Sequence, residues 1–349
     1  MNTTDLAAWC DIDFSKSTSN PVSQCKVLKV NGELLSEVVV PEGATTVKQY
    51  VFYNCTSISK ITFPSTLTSL GNYAFYNCTG LESIELPSTL TTVGSAAFAG
   101  CSGLKSIEIP EAVTALPTNM FQNCKALESV TLPSGLLSVG KNVFFNCSKL
   151  SAIKFPATVK RIDQKSFQNC SSLEMIEFDG TPEFIGDYAF SGCSALKEVT
   201  LPEELESLGY NTFFGCTSLA EVTIPSSMQS IGNNVFGNCA SLATIKSKNV
   251  IPPAIMSNTF ASSIYDTARL LVPEGAAESY ASAEVWKQFT DISESSFSGI
   301  ESVETEDGGI VTVYSITGHV VATGESVPEL NTGVYIVRSG KKVSKIIVR

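Results

Sequence analysis

The side chains with the most chemistry to offer are eleven cysteines and a single histidine, His319. A thiolate is a nucleophile and a metal ligand, and imidazole is the commonest acid/base group near neutral pH. Together they would suggest cysteine hydrolysis or a zinc site. Their spacing speaks against both. The cysteines stand at positions 10, 25, 55, 78, 101, 124, 147, 170, 193, 216 and 239, and from Cys55 onward every gap is 23 residues. A linear array does not converge on one metal ion. One histidine leaves nothing for a catalytic triad or a poly-His site elsewhere in the chain. Thiols at this period stack at roughly the 4.8 Å strand spacing and read as small buried hydrophobes. Side chains pointing the same way give poor disulfide geometry. Cys10 and Cys25 lie before the period begins and stay open between one disulfide and two free thiols.

Carboxylates are the second chemical candidate. Glu82/Glu85 and Glu174/Glu177 resemble the paired acids of a glycoside hydrolase by spacing. On an open, solvated strand face nothing raises one of the two pKa values, so the pairs read as surface charge. No catalytic residue, metal ligand or cofactor site follows from the sequence.

The elements that position these groups come from the same period. A phenylalanine precedes each of the nine periodic cysteines by three residues, from Phe52 to Phe236. Leu or Ile follows three residues after, and the unit reads F-x-[NG]-C-x-x-L-x-x-I-x-L-P-x-x-L-x-x-I-G. Self-similarity at this length marks a solenoid. The I-x-L-P stretch has the alternation of a short strand and ends in a residue that cannot donate to a continuing ladder. The segment before each Phe suits a helical or 3₁₀ turn. The residue before each Cys is Asn six times and Gly three times. Those types predict a positive φ at Asn77, Gly100, Asn123 and their equivalents. The Asn-Cys-Thr and Asn-Cys-Ser sequons at Asn54, Asn77, Asn146 and Asn169 then follow from a turn requirement rather than from glycosylation. One such unit cannot bury its apolar face alone, so the array needs caps. Residues 9–31 form the N-terminal cap, Leu270, Val272 and Pro273 a last strand, and residues 276–289 a closing helix that carries Tyr280, Trp286 and Phe289.

Length and composition agree. The chain has 349 residues, 43% of them apolar and 16% charged, which excludes a disordered or collagen-like protein. A net charge of -11 disfavours nucleic acid and anionic bilayers as partners. No segment has the eighteen or so uncharged apolar residues of a membrane span, and the first twenty-five residues are too polar for a signal peptide. A cytosolic protein and the mature form of an exported one both fit.

The repeat resembles the BspA-like family of bacterial cell-surface leucine-rich repeats. The likeness covers roughly residues 5–292 and includes the cap string Trp9-Cys10-Asp11-Ile12-Asp13-Phe14 and Val-Pro-Glu-Gly at 272–275. It departs at Asp179-Gly180, which replaces a Pro turn, and at Asp163 and Pro117, which replace Gly. The family implies a leucine-rich repeat horseshoe, with one short parallel strand and one turn or 3₁₀ segment per 23-residue repeat. It also implies export to the outer surface of a bacterium, binding of a host or matrix protein, and no catalytic residues. After about Ile300, strands alternate with Gly turns, and Gly333-Val334-Tyr335-Ile336-Val337 with Lys345-Ile346-Ile347-Val348-Arg349 resembles the C-terminal β-sandwich sorting domains of type IX secretion cargo. The expected layout is an N-terminal cap at 1–31, the solenoid with its capping strand and helix at 32–292, a linker at 293–299 and a β-sandwich at 300–349. His319 becomes a turn residue of the tail.

Three surfaces are candidates for binding. The exposed strand positions form two rows that carry Glu198 and Glu221 in one, and Glu85, Glu108, Lys154 and Glu177 in the other. Neither row contains an aromatic residue, so this face is a polar docking surface or plain solvated sheet. Six basic residues between Lys141 and Lys165 adjoin ten acidic ones between Cys170 and Glu221. They would steer a dipolar partner or form inter-repeat ion pairs such as Lys154 with Glu177. Tyr50, Tyr53, Tyr73 and Tyr76 would stack as a two-by-two patch away from the strands, for packing or for binding. The reading is a non-enzymatic adhesion or binding protein for a protein or extracellular-matrix ligand. A self-assembling surface spacer is the alternative, and a glycan-processing enzyme is the reading of another class. Oligomeric state is left open.

Overall fold

A computed structural model describes residues 1–297, together with the strands Val311–Ser315, Val320–Gly324, Gly333–Ser339 and Lys342–Val348. The chain divides into two compact units, Met1–Glu294 and Ser295–Arg349.

The first unit is a parallel-strand solenoid. Each residue of a paired strand faces its equivalent one repeat on, as Glu37 faces Lys60, Lys154 faces Glu177 and Val222 faces Ile245. The middle side chain of each three-residue strand points inward, and its neighbours are exposed: Ile61 and Ile107 are buried between exposed residues. A second parallel ladder of two-residue strands, including Ser69–Leu70, Thr92–Val93 and Ser138–Val139, runs along the neighbouring side. The expectation of one strand per repeat is therefore corrected to two. A two-residue strand is too short to show a period-two signal.

The segment before each Phe is neither an α-helix nor a 3₁₀ helix, which corrects the second expectation. Its hydrogen bonds are divided between its own repeat and the next. The N–H groups of Tyr50, Phe52 and Asn54 donate one repeat ahead to the carbonyls of Asn72, Ala74 and Tyr76 at 3.0, 2.9 and 2.8 Å, whereas Tyr53 and Cys55 donate back to Tyr50 and Phe52. All nine residues before the periodic cysteines have positive φ, from Asn54 at 62° to Asn238 at 59°. The side-chain amides at the four sequons are engaged: Asn54 donates to the Ser23 carbonyl, and Asn77, Asn146 and Asn169 each donate to the Asn one repeat earlier. A second positive-φ position lies four residues before these, at Tyr50, Tyr73, Ala96, Asn119 and onward. Its mixed residue types concealed it.

The interior is a continuous stack. Phe52 to Phe260 lie ring on ring at 5.0–5.8 Å. Each periodic cysteine after Cys55 donates its S–H to the carbonyl of a Phe in the preceding repeat, at 3.1–3.4 Å. The thiol is thus a small hydrophobe that also satisfies a buried acceptor.

The ladders are not continuous. At the side ladder, Gly71 and Gly94 donate to the carbonyls of Val47 and Leu70, but Pro117 has no N–H for Val93, and the sheet ends there. A second end lies between Phe184–Ile185 and Ser207–Leu208. There Gly209 N–H makes no hydrogen bond to the Ile185 carbonyl. The strand ladder is interrupted at the same two joints and at others, and residues 83–86 belong to no strand at all.

Both ends are capped. Trp9 Nε1 donates to the Val51 carbonyl at 3.1 Å, and Asn20 bridges to Tyr50 and Val51. At the other end Arg269–Val272 is the expected last repeat strand. The closing helix is shorter than expected, Ala277–Ser282: it ends at Ala283, whose backbone is extended, and Val285 at φ 70° leads into the 3₁₀ turn Trp286–Gln288. An unforeseen strand, Asp291–Glu294, then pairs in parallel with Arg269–Val272 and extends the strand face past the cap, into the segment expected to begin the linker.

In the second unit the described strands form one antiparallel sheet, in the order Val320–Gly324, Val311–Ser315, Gly333–Ser339, Lys342–Val348. The expected sandwich has a single sheet among the described residues. His319 and the Thr317-Gly318 turn lie outside them.

Candidate binding surface

The two exposed rows exist, and half of their charges are paired with neighbours. Lys154 lies 3.6 Å from Glu177 and 2.9 Å from Asp179, and Asp179 raises the Lys154 pKa. Glu221 pairs with Lys246 at 2.5 Å across one strand. Lys160 meets Glu183 at 3.4 Å, Lys149 meets Glu128 at 3.5 Å, and Lys248 bonds Glu203. Of the six basic residues, Lys154 and Lys160 pair with the adjoining acidic block, which weakens a dipolar steering field. Glu85, Glu108 and Glu198 have no ion-pair partner among the described residues.

The carboxylate pairs lack the chemistry of a general acid. Glu82 accepts from Lys105 at 2.6 Å and Glu174 from Lys197 at 2.7 Å, and in each case the ammonium holds the carboxyl below its usual value. An acid catalyst needs the opposite shift.

The tyrosines do come together. Tyr50 stacks on Tyr73 at 5.0 Å and Tyr53 on Tyr76 at 4.7 Å, both within 6° of parallel, and the two columns lie 5.7 Å apart. All four are half-buried, and burial raises the pKa of Tyr50 and Tyr53. Their hydroxyls make no hydrogen bond to the described residues. Tyr50 and Tyr73 also occupy the left-handed position, at φ 59° and 55°, where other repeats carry Asn four times, and Ala96, Lys165 and Tyr188 once each. Tyrosine is the costlier choice there, by about 1 kcal/mol.

The thiols are divided by environment. Burial pushes Cys10, Cys55, Cys101 and Cys239 up to about 12. All eleven are free, and the structure does not join Cys10 to Cys25. Cys10 is buried under the first cap, while Cys25 is exposed at the end of a helical turn, where its Sγ lies 3.2 Å from the Val27 carbonyl and the Val27 main chain holds its pKa low. No group of three or more His, Cys, Asp or Glu side chains is arranged to hold a metal ion among the described residues. No helix there is long and apolar enough to cross a membrane.

One feature of the surface was not foreseen. Between residues 60–63 and 83–87 the strand face opens into a cleft of about 300 Å³, lined by Lys60, Ile61, Phe63, Ser83, Glu85 and Leu86 among others. Of the candidate binding residues, Glu85 alone borders it. The pattern of residues 81–87 carries no signal for it.

The sequence profile of the BspA type leucine rich repeat region matches residues 31–151 and 138–266, in six copies. No curated protein matches the chain. Similar solved structures include a leucine rich cell surface protein from Faecalibacterium prausnitzii, 23% identical over 75% of this chain and 88% of that one, with a TM-score of 0.38. A T. pallidum leucine rich repeat protein is 27% identical over 59% of this chain and 78% of its own, with a TM-score of 0.39. The pneumococcal vaccine antigen PcpA is 22% identical over 75% and 79%, with a TM-score of 0.35.

Proposed function

The chain belongs to the family of BspA-type leucine-rich repeat proteins, and from that premise we propose that it is a secreted or surface-exposed bacterial protein that binds a host or matrix protein through its repeat surface. The observation that carries this reading is the tyrosine quartet. Four stacked, half-buried rings carry hydroxyls that make no hydrogen bond to the described residues. Stacked pairs recover about 0.5–1.5 kcal/mol each. Tyrosine is also the residue type that interfaces favour, because its ring buries area while its hydroxyl bonds a partner. Glu85, Glu108 and Glu198, with no ion-pair partner among the described residues, supply a polar strand face, on which Lys154, Glu177 and Glu221 are already occupied.

The test is a solid-phase panel of extracellular-matrix proteins and glycans probed with the full chain. Saturable binding to a protein is expected, lost in the Tyr50→Ser, Tyr53→Ser, Tyr73→Ser, Tyr76→Ser variant and weakened by charge reversal at Glu198, Glu203, Glu204 and Glu206. Binding unchanged in the tyrosine variant overturns the assignment of the patch. Self-assembly without any external ligand would instead establish a surface spacer. The tail at 300–349 is proposed as the export module, so its deletion should abolish surface display, and unchanged display overturns that role.

A further inference from the structure

Main-chain groups in a solenoid strand normally pair on both sides. Residues 83–86 pair on neither: their N–H and C=O groups make no hydrogen bond to any described residue, and the neighbouring Glu82 carbonyl accepts only from Lys105 N–H, at 3.0 Å. The opposite wall of the cleft is Lys60–Thr62, which bonds on its far side to Glu37–Val39. There Lys60 N–H reaches Ser36 and the Thr62 carbonyl receives Val40 N–H. In a parallel strand, alternate residues aim their polar groups to opposite sides, so Ile61 aims its N–H and C=O into the cleft. Two walls of unpaired main chain thus face one space of about 300 Å³, with half-buried Phe63 and Leu86 along it and exposed Lys60 and Glu85 at its rim.

We propose that this cleft is a docking slot for an extended peptide segment of a partner protein, held chiefly by main-chain hydrogen bonds. The proposal names the kind of segment recognised and rests on the reading of the chain as a protein-binding solenoid. Unpaired N–H and C=O groups at alternate residues, Ser83 and Glu85 on one wall and Ile61 on the other, are complementary to another strand, and strand addition is a recurrent way to recognise peptides. Four wall residues span about 13 Å, at ~3.3 Å per residue, which sets the segment at about four residues. Alternation then assigns its side chains. Those turned inward meet Phe63 and Leu86 and are apolar, and those turned outward lie between Lys60 and Glu85 and carry charges of the opposite sign.

The test uses the full chain and a capped synthetic peptide Lys-Ile-Glu-Ile, the sequence of residues 106–109 with Lys in place of Ser106, which has that alternation. Saturable binding is expected, with exchange of the Ile61, Ser83 and Glu85 amides slowed at least tenfold at saturating peptide. The same peptide N-methylated at alternate amides should bind at least tenfold more weakly, because it keeps the side chains and loses the donors. A Lys60→Glu, Glu85→Lys variant should shift preference toward the peptide with its Lys and Glu exchanged. Equal binding of the N-methylated peptide overturns the main-chain mode. Protection confined to Asp291–Glu294, or elicited equally by a panel of oligosaccharides, overturns the site or its ligand class. Peptide binding with no hit on the matrix panel would leave the slot standing and defeat the host-ligand reading, and the reverse result would do the opposite.

Discussion

From Glu198 to Glu294 the strand face is one sheet of five strands, whereas between Lys60 and Glu108 it parts around four residues that pair with nothing. The two regions share the same repeat and the same interior. Phe75 still stacks on Phe98 at 5.6 Å, and Cys101 still donates to the Phe75 carbonyl at 3.2 Å, directly behind the open stretch. Four structures run in parallel along the molecule: a strand ladder, a side ladder, a turn ladder and the Phe/Cys stack. Losing one of them at a given joint leaves the others to hold the repeats in register. The stack is the member common to both regions, so it is the one whose removal both should feel.

The largest test of that comparison is alkaline pH. Burial raises the periodic thiols above their unfolded value of 9.0, to about 12 for Cys55, Cys101 and Cys239. The folded state therefore holds protons that the unfolded chain releases. Stability is fully present below pH ~9 and falls between about 9 and 12, by about 1.4 kcal/mol per pH unit for each buried thiol. Circular dichroism should show a steep, single transition just above pH 9. Two separate transitions would mean that the open stretch uncouples the regions.

Next in size are Phe75→Ala and Phe213→Ala, each expected to cost about 3–5 kcal/mol. Urea unfolding of Phe213→Ala should stay a single transition, because two unbroken ladders flank it on the C-terminal side. Phe75→Ala should become biphasic as the N-terminal repeats separate. Identical curves would show that the ladders add nothing to cooperativity. The smallest effect belongs to Pro117→Gly, which restores an N–H for the Val93 carbonyl. A hydrogen bond worth about 1 kcal/mol opposes a similar loss from backbone freedom. Stability should change by less than about 1 kcal/mol, while hydrogen exchange shows the new amide protected at least tenfold. An unprotected amide would mean that the joint is held open by something other than the missing donor.

Much of this was legible residue by residue. Asn or Gly before each cysteine announced a left-handed backbone, and all nine positions adopt it. Lys154 and Glu177, 23 residues apart on one row, had to be neighbours once the period was a stack. The tyrosine columns followed for the same reason. Residues 81–87 and 104–110 differ only at positions 82 and 86, yet one stretch pairs and the other does not. Nothing in the spacing of Cys10 and Cys25 indicated that one would be sealed under the cap and the other left at the surface.

The sequence by itself determined the repeat, the partition of side chains between interior and surface, and the positive φ before each periodic cysteine. Each of these depends on the size, polarity or backbone freedom of a single residue, and nine copies make the signal plain. Only the tertiary structure decided which ladder joints close, that the thiols donate to phenylalanine carbonyls, and that a strand at Asp291–Glu294 carries the sheet past its cap. A hydrogen bond is made or lost over a few tenths of an ångström. The separation of two repeats is set by all their contacts together, and no single residue type records it.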